Sequence, residues 1–329
     1  MQKFFVFSKT IVRIIVATLV VLFVLFFPII SKVAYPKNQT NELFFTQSSE
    51  IVLDMWHIEA FEGGNSARKT FLDKLFKLYN CQNLGVFISL NVMSLEQFKI
   101  NISKSKPDII SFTKGCQGVE KYLLPLARTK LLSQDILSSV KWDNSIICYP
   151  YMLGRYALVS YNENYIEDIK GNIVENKNKQ IFPLGYAADV NCLRALSCNN
   201  ISFSKSAKSY STQYDVYKAF LKRELRTMIA SQRDVHRLKN REQNGSIESL
   251  FYNYLDGYTD LVQYIGVTDS CKNIDIAKDF CEFVLQSPSQ SLISSCGMFS
   301  INQKIYDGGY MAQWEKQIKD TSLESLFGE

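Results

Sequence analysis

Histidine is almost missing from this chain: 329 residues contain His57 and His236 and no other. None of the eight cysteines (Cys81, Cys116, Cys148, Cys192, Cys198, Cys271, Cys281, Cys296) forms a CxxC pair, so the spacing of a structural zinc site is absent. Asp54, His57 and Glu59 make a DxxHxE set of metal-ligand types, but His236 is remote and there is no HExxH. A GxSxG elbow, a Walker-type glycine loop and a GxGxxG turn are also missing. These absences argue against an enzyme and against a bound cofactor. Strong net charge is lacking too. The total is +5, and setting aside Lys3, Lys9, Arg13 and Lys32 at the N-terminus leaves +1. A near-neutral body has no electrostatic footprint for nucleic acid.

What is present begins with residues 14–30, IIVATLVVLFVLFFPII, a run without a charge. A helix of about 17–25 apolar residues spans a bilayer. The basic residues before the run hold the N-terminus in the cytoplasm, which exports everything after about residue 35 to the extracellular face of the membrane. Two readings fit: an uncleaved membrane anchor, or a cleaved signal peptide over 1–35 with a poor cleavage site. Residues 36–49 are polar and read as a tether. In an exported chain eight cysteines invite disulfides, with Cys192–Cys198 and Cys281–Cys296 as local candidates and buried free thiols as the alternative.

The remaining residues, 47% apolar over the whole chain, are enough for one large domain or two lobes. Ile51–Trp56, Val86–Leu90 and Asp108–Phe112 read as strands, with a helix after Asn65 or Ser66 that keeps Phe71, Leu72, Leu75, Phe76 and Leu78 at helical spacing. Residues 141–161 read as an extended crossing broken by Pro150 and Gly154, 162–180 as a surface segment, and 203–213 as a loop. A helix over Tyr214–Arg226, strands at Thr227–Ser231 and Asp260–Val267, helices at Ile274–Leu285 and Ser289–Ser295, and a last helix over 309–327 follow. This alternation implies an α/β body on a mainly parallel sheet.

Six stretches, in order, carry a resemblance: DMWHIEAFEGGNSARKTFL (54–72), KPDIISFTKG (106–115), YPYMLGRYALVSYN (149–162), MIASQRDVHRL (228–238), YTDLVQYIGV (258–267) and AKDFCEFVLQSPSQSLISSCGMFSIN (277–302). Together they resemble the extracellular solute-binding proteins of bacterial ABC importers, in the group of maltose- and sugar-binding proteins. The chain departs from that pattern in having no lipid-attachment cysteine after the leader and a short 162–226 segment. The resemblance implies a two-lobed α/β fold of the type II periplasmic-binding class, hinged, behind an N-terminal transmembrane or signal helix. Lobe one takes 50–153 and 259–299, and lobe two takes 154–258 and 300–329. It also implies capture of a small polar solute, a carbohydrate favoured, for delivery to ABC permease subunits. The alternative is a membrane-anchored sensing module for a signalling kinase.

Open α/β sheets bind ligands beyond the carboxyl ends of their strands, which singles out particular loops. Trp56 and His57 end the first strand; the indole could stack on a sugar ring with its N–H donating outward, or fill the core. Glu62, beside Gly63 and Gly64, is an acceptor in the following loop or a solvated acid. Phe112 and Lys114 follow the third strand, where the resemblance implies an aromatic and a polar contact. Tyr151 and Arg155 lie on the crossing, Arg155 as a five-donor group for a ligand or for a hinge salt bridge. Gln232 and Arg233 follow the strand at 227–231, with Asp234 as a partner that Arg233 could pair with. Tyr258 opens the return strand.

Overall fold

The computed structural model describes residues 50–59, 67–114, 116, 118–164, 184–188, 190–199, 207–255, 259–301, 311–312 and 326. The N-terminal run, the tether, Glu62, Tyr258 and nearly all of the helix expected over 309–327 lie outside them. Among the described residues no helix is long and apolar enough to cross a membrane.

The chain opens with β1 (Ile51–Glu59). It continues into α1 (Ala67–Gln82), where Phe71, Leu72, Leu75, Phe76 and Tyr79 are buried at a helix's period. Gly85, at φ +86°, turns the chain into β2 (Val86–Ser94), parallel to β1. α2 (Leu95–Asn101) starts on a reciprocal cap: Ser94 Oγ accepts from Gln97 N, and the Gln97 side chain accepts from Ser94 N. β3 (Ile109–Thr113) lies parallel on the other side of β1. Then come α3 (Gln134–Ser138), the hairpin of β4 (Lys141–Trp142) and β5 (Ser145–Ile146), β6 (Tyr149–Leu153) and β7 (Tyr156–Ser160). β8 (Leu184–Ala187), α4 (Val190–Cys198), β9 (Lys208–Tyr210), α5 (Gln213–Leu221), β10 (Thr227–Ser231), α6 (Gln232–Gln243) and β11 (Phe251–Tyr254) follow. β12 (Val262–Val267), α7 (Ile274–Phe283), α8 (Ser287–Ser291) and β13 (Phe299–Ser300) complete the order.

These strands make two main sheets within one compact unit, Glu50–Glu329. The first has the order β13-β6-β12-β3-β1-β2 and the second β11-β7-β10-β8-β9. In the first, β2, β1 and β3 run parallel, while β12 and β13 oppose their neighbours. β3, β7, β10 and β12 are buried along their whole length, as central strands covered on both faces must be. Alternation sends Leu53, Met55 and Ile265 to one core and Trp56, Ile58 and Tyr264 to the core on the opposite face. The second sheet divides likewise, with Val159 and Met228 on one side and Leu158 and Ile229 on the other.

Several segments differ from the sequence reading, α2, α3, β8 and α4 among those it did not name. β9 (KSY) falls in the span expected to be a loop; its short, Ser-containing sequence carries no apolar alternation. α6 occupies the stretch read only as following a strand. β11 was hidden by its polar flanks. The extended crossing at 141–161 resolves into a hairpin and two strands, one in each sheet.

The eight cysteines are free thiols. Cys192 and Cys198 do not pair because six residues of α4 rotate their side chains about 120° apart. Cys281 and Cys296 sit unlinked in the same core. Burial pushes the thiol of the enclosed Cys281 above its ordinary range, keeping it protonated.

Only Gly154 and Arg155 separate β6 from β7, so the chain passes between sheets in two residues. Gly154 N donates to Leu261 O (2.6 Å), and Thr259 Oγ1 donates to Gly154 O (2.6 Å). A Cβ at Gly154 would lie 2.8 Å from both Leu261 Cβ and Met298 Cε. The Met298 methyl can move away, but Leu261 Cβ is fixed by its backbone. Gly154→Ala should therefore cost about 1–3 kcal/mol through overpacking, read as a lowered urea midpoint with an unchanged slope.

Candidate functional site

Along one face of the first sheet, apolar residues give way to polar ones toward a single end. β1 passes from Leu53 and Met55 to His57; β3 passes from Ile109 to Ser111; β6 passes from Tyr149 to Tyr151. β12, running the other way, passes back from Val267 and Ile265 to Gln263. Register aligns them: His57 opposes Ser111, and Gln263 opposes both Thr113 and Met152. This end is the carboxyl end of β1 and β3.

The four polar side chains meet at one hydroxyl. Ser111 Oγ lies 2.9 Å from His57 Nδ1 and 3.0 Å from Tyr151 Oη, and it accepts from Gln263 Nε2 at 2.9 Å. All four residues are buried. A hydroxyl has one hydrogen and two lone pairs, and these three neighbours occupy all of them. Ser111 is therefore the junction of the three side chains.

The second sheet contributes the other half. Tyr156 opposes Ser231 in the last pair of the β7–β10 ladder; Arg155 directly precedes β7, and Gln232 opens α6 directly after β10. Arg155, Gln232 and Arg233 are all buried. Asp234 is committed to the start of α6: its Oδ2 accepts from Ser231 N (3.2 Å) and Ser231 Oγ (2.9 Å), and its Oδ1 lies 3.5 Å from Arg237. Gln232 differs from its neighbours. It is 0% exposed, and among the described residues neither its Nε2 nor its Oε1 has a hydrogen-bond partner, which is costly for a buried amide. The two halves adjoin because Arg155 sits on the crossing and Gln263 follows Leu261, the residue bound to Gly154, by two positions.

The remaining expected residues are placed as follows. Trp56 is a core residue; its indole N–H, expected to point outward, donates to Asp54 Oδ2 (3.1 Å) because that carboxylate shares its strand face two positions back. Phe112 stacks on Tyr264 within the core (5.7 Å between centroids). Tyr151 stacks on Phe71 of α1 while its hydroxyl joins the junction. Lys114 is half-buried just beyond β3. Glu62 and Tyr258 lie outside the described residues. Ser111, Thr113 and Gln263 were not singled out in the sequence, although each is a polar residue interrupting an apolar strand. Among the described residues no group of three or more ligand side chains could hold a metal. Asp54 and His57 occupy positions of opposite parity on β1, so their side chains leave by opposite faces.

No protein-family model matches the sequence, and no curated protein does. Solved structures match at low identity. The GacH receptor of Streptomyces glaucescens GLA.O, described unliganded and with acarbose, is 14% identical over 84% of this chain and 88% of that chain, with a TM-score of 0.61. The ferric iron-binding protein A of Mannheimia haemolytica, in an open conformation, is 11% identical over 84% and 93%, with a TM-score of 0.59. The ABC substrate-binding protein Lmo0181 of Listeria monocytogenes, with cycloalternan, is 12% identical over 82% and 86%, with a TM-score of 0.55. The fold is the α/β type II fold of ABC-importer solute-binding proteins. In that fold the carboxyl strand ends of the two sheets, where the polar residues above collect, are the natural place for a ligand.

Two measurements test the local chemistry. Ser111→Ala removes the partner shared by His57, Tyr151 and Gln263, and should cost about 1–3 kcal/mol for each group left unsatisfied; a loss well under that in urea unfolding would show that the hydroxyl organises nothing. His236, on α6, packs so close to Gly297 that a Cβ there would lie 2.3 Å from its Cγ. Burial, and then the charge of Arg233, hold His236 below its ordinary 6.5. The unfolded chain then binds the proton more readily, so this contribution to stability is present above about pH 6.5 and lost as pH falls below it. His236→Gln should flatten that part of the stability profile.

Proposed function

We propose that residues 50–329 capture a small polar solute between two lobes and deliver it to the permease subunits of an ABC importer, without breaking a bond. Lobe one comprises 50–153 and 259–299, lobe two 154–258 and 300–329, and residues 14–30 tether or export the protein to the outer face of the membrane. The observation that carries this reading is the fully buried amide of Gln232, unpartnered among the described residues, just beyond the end of the β7–β10 ladder that Arg155 also adjoins. A buried amide without a protein partner is poised to receive one from a ligand. His57, Tyr151 and Gln263 line the other side through Ser111, with Arg155 and Arg233 as further donors.

A carbohydrate is the favoured solute, because a paired amide donor and acceptor suits vicinal hydroxyls. Two neighbours of the fold are described with oligosaccharides or their analogues, acarbose and cycloalternan.

Thermal shift against a library of mono- and oligosaccharides tests the reading: a solute at about 100 times its dissociation constant should add about 2.7 kcal/mol of stability. Gln232→Met provides the sharper test. Because the amide satisfies nothing within the protein, its loss should leave the free protein equally stable or more so. Solute affinity should fall about tenfold or more, the worth of a buried hydrogen bond. Unchanged affinity in titration calorimetry would remove Gln232 from the site.

A further inference from the structure

Of the four edges of the two main sheets, three are short. β13 has two residues, β9 three and β11 four. The fourth, β2, has nine (VFISLNVMS) with no charge and no proline. It pairs with β1 from end to end and, among the described residues, has no neighbour on its other side. Apolar side chains on and beside it face solvent: Phe87 is 46% exposed, Val92 39%, Leu84 89% and Val52 59%. Exposed edges are usually blunted by lysine, proline, a bulge or brevity, because their free N–H and C=O groups are templates for another strand. β2 has none of these devices.

The order of residues along β2 identifies the partner. Reflected about Leu90, Phe87 falls opposite Met93, Ile88 opposite Val92 and Ser89 opposite Asn91. Over these three inner pairs apolar residues meet apolar ones and polar residues meet polar ones, while the outermost pair sets Val86 against Ser94; the inner match suits an antiparallel pair with a two-fold axis through Leu90. With no charge on the strand, two copies do not repel. The partners in each pair share parity, so each core face of one sheet continues into the same face of the other. We propose that β2 is a homodimer interface. Two copies join antiparallel with Leu90 on the axis, and six strands from each form one continuous sheet. Such a contact is isologous and closes on itself. β2 lies at the opposite edge of the sheet from β6 and β13, so the crossing at Gly154 and Arg155 stays accessible in both copies.

Sedimentation velocity of the full chain across the micromolar range tests this. The expected result is a concentration-dependent dimer that Ser89→Lys/Val92→Lys converts to monomer with an unchanged melting temperature, since both positions are exposed. Register is checked by oxidative cross-linking with copper phenanthroline. Leu90→Cys should trap a disulfide dimer with its own copy, whereas Ser89→Cys, which faces Asn91, should add little to the background from the exposed Cys81 and Cys198. A chain that stays monomeric throughout overturns the proposal. So does a dimer that survives the double substitution, because its contact then lies elsewhere, the apolar N-terminal run included. Equal trapping by both cysteine variants overturns the Leu90 axis.

Discussion

Two residues join the sheets, and much of the molecule follows from that brevity. β6 ends at Leu153 and β7 begins at Tyr156. The intervening glycine is held through both its N–H and its carbonyl by the returning segment at Thr259–Leu261. The outgoing and returning chains are thus tied side by side where they change sheets. Tyr156 and Asp260 extend the tie, their side chains meeting at 3.1 Å. A longer connection would let the sheets drift apart. A residue with a Cβ at 154 would force Leu261 away and loosen the same joint.

Two buried glutamines show how the fold separates structure from function. Gln290, on α8, donates to Tyr151 O and Val284 O, and its Oε1 accepts from Ser300 Oγ and Ile301 N. It fastens α8 to β6 and β13 with its hydrogen-bonding capacity filled. Gln232 is equally buried and satisfies nothing. Burying such a group without compensation costs free energy, and natural folds keep few of them. The polar junction at Ser111 lies between these cases, its central hydroxyl filled by three neighbours yet placed at the end of an otherwise apolar face. Polar groups thus concentrate at the crossing, while the opposite ends of the same strands are closed with leucine, isoleucine and valine.

Much of this was legible in the sequence, for reasons tied to particular residues. IVLDMW, DIISF, TMIAS and LVQYIGV are short apolar runs, the mark of strands covered on both faces. The helical spacing of Phe71, Leu72, Leu75 and Phe76 located α1. What stayed hidden has equally specific causes. Ser231-Gln-Arg-Asp234 is a capping box and would have marked the start of α6, as Ser94 and Gln97 would have marked α2. β9 exists only because β8 offers it an edge, so nothing local in KSY reports it. Trp56 and Phe112 lie on the opposite face of β1 and β3 from His57 and Ser111, which only the strand period reveals.

That inversion bears on what the site can recognise. A sugar platform built from Trp56 and Phe112 would need faces that are already packed against Ile58 and Tyr264. On the proposed reading, recognition in the described part of the site would fall to amide, guanidinium, imidazole and hydroxyl groups enclosed away from water. Sites of that kind discriminate more by hydrogen-bond pattern than by ring shape. An analogue lacking one hydroxyl leaves a buried protein group unpaired, whereas an analogue with extra apolar bulk is penalised only by space. On the proposed reading, binding at this crossing would select a solute for the placement of its polar atoms. The same two-residue connection between β6 and β7 brings the polar groups of both sheets toward that point.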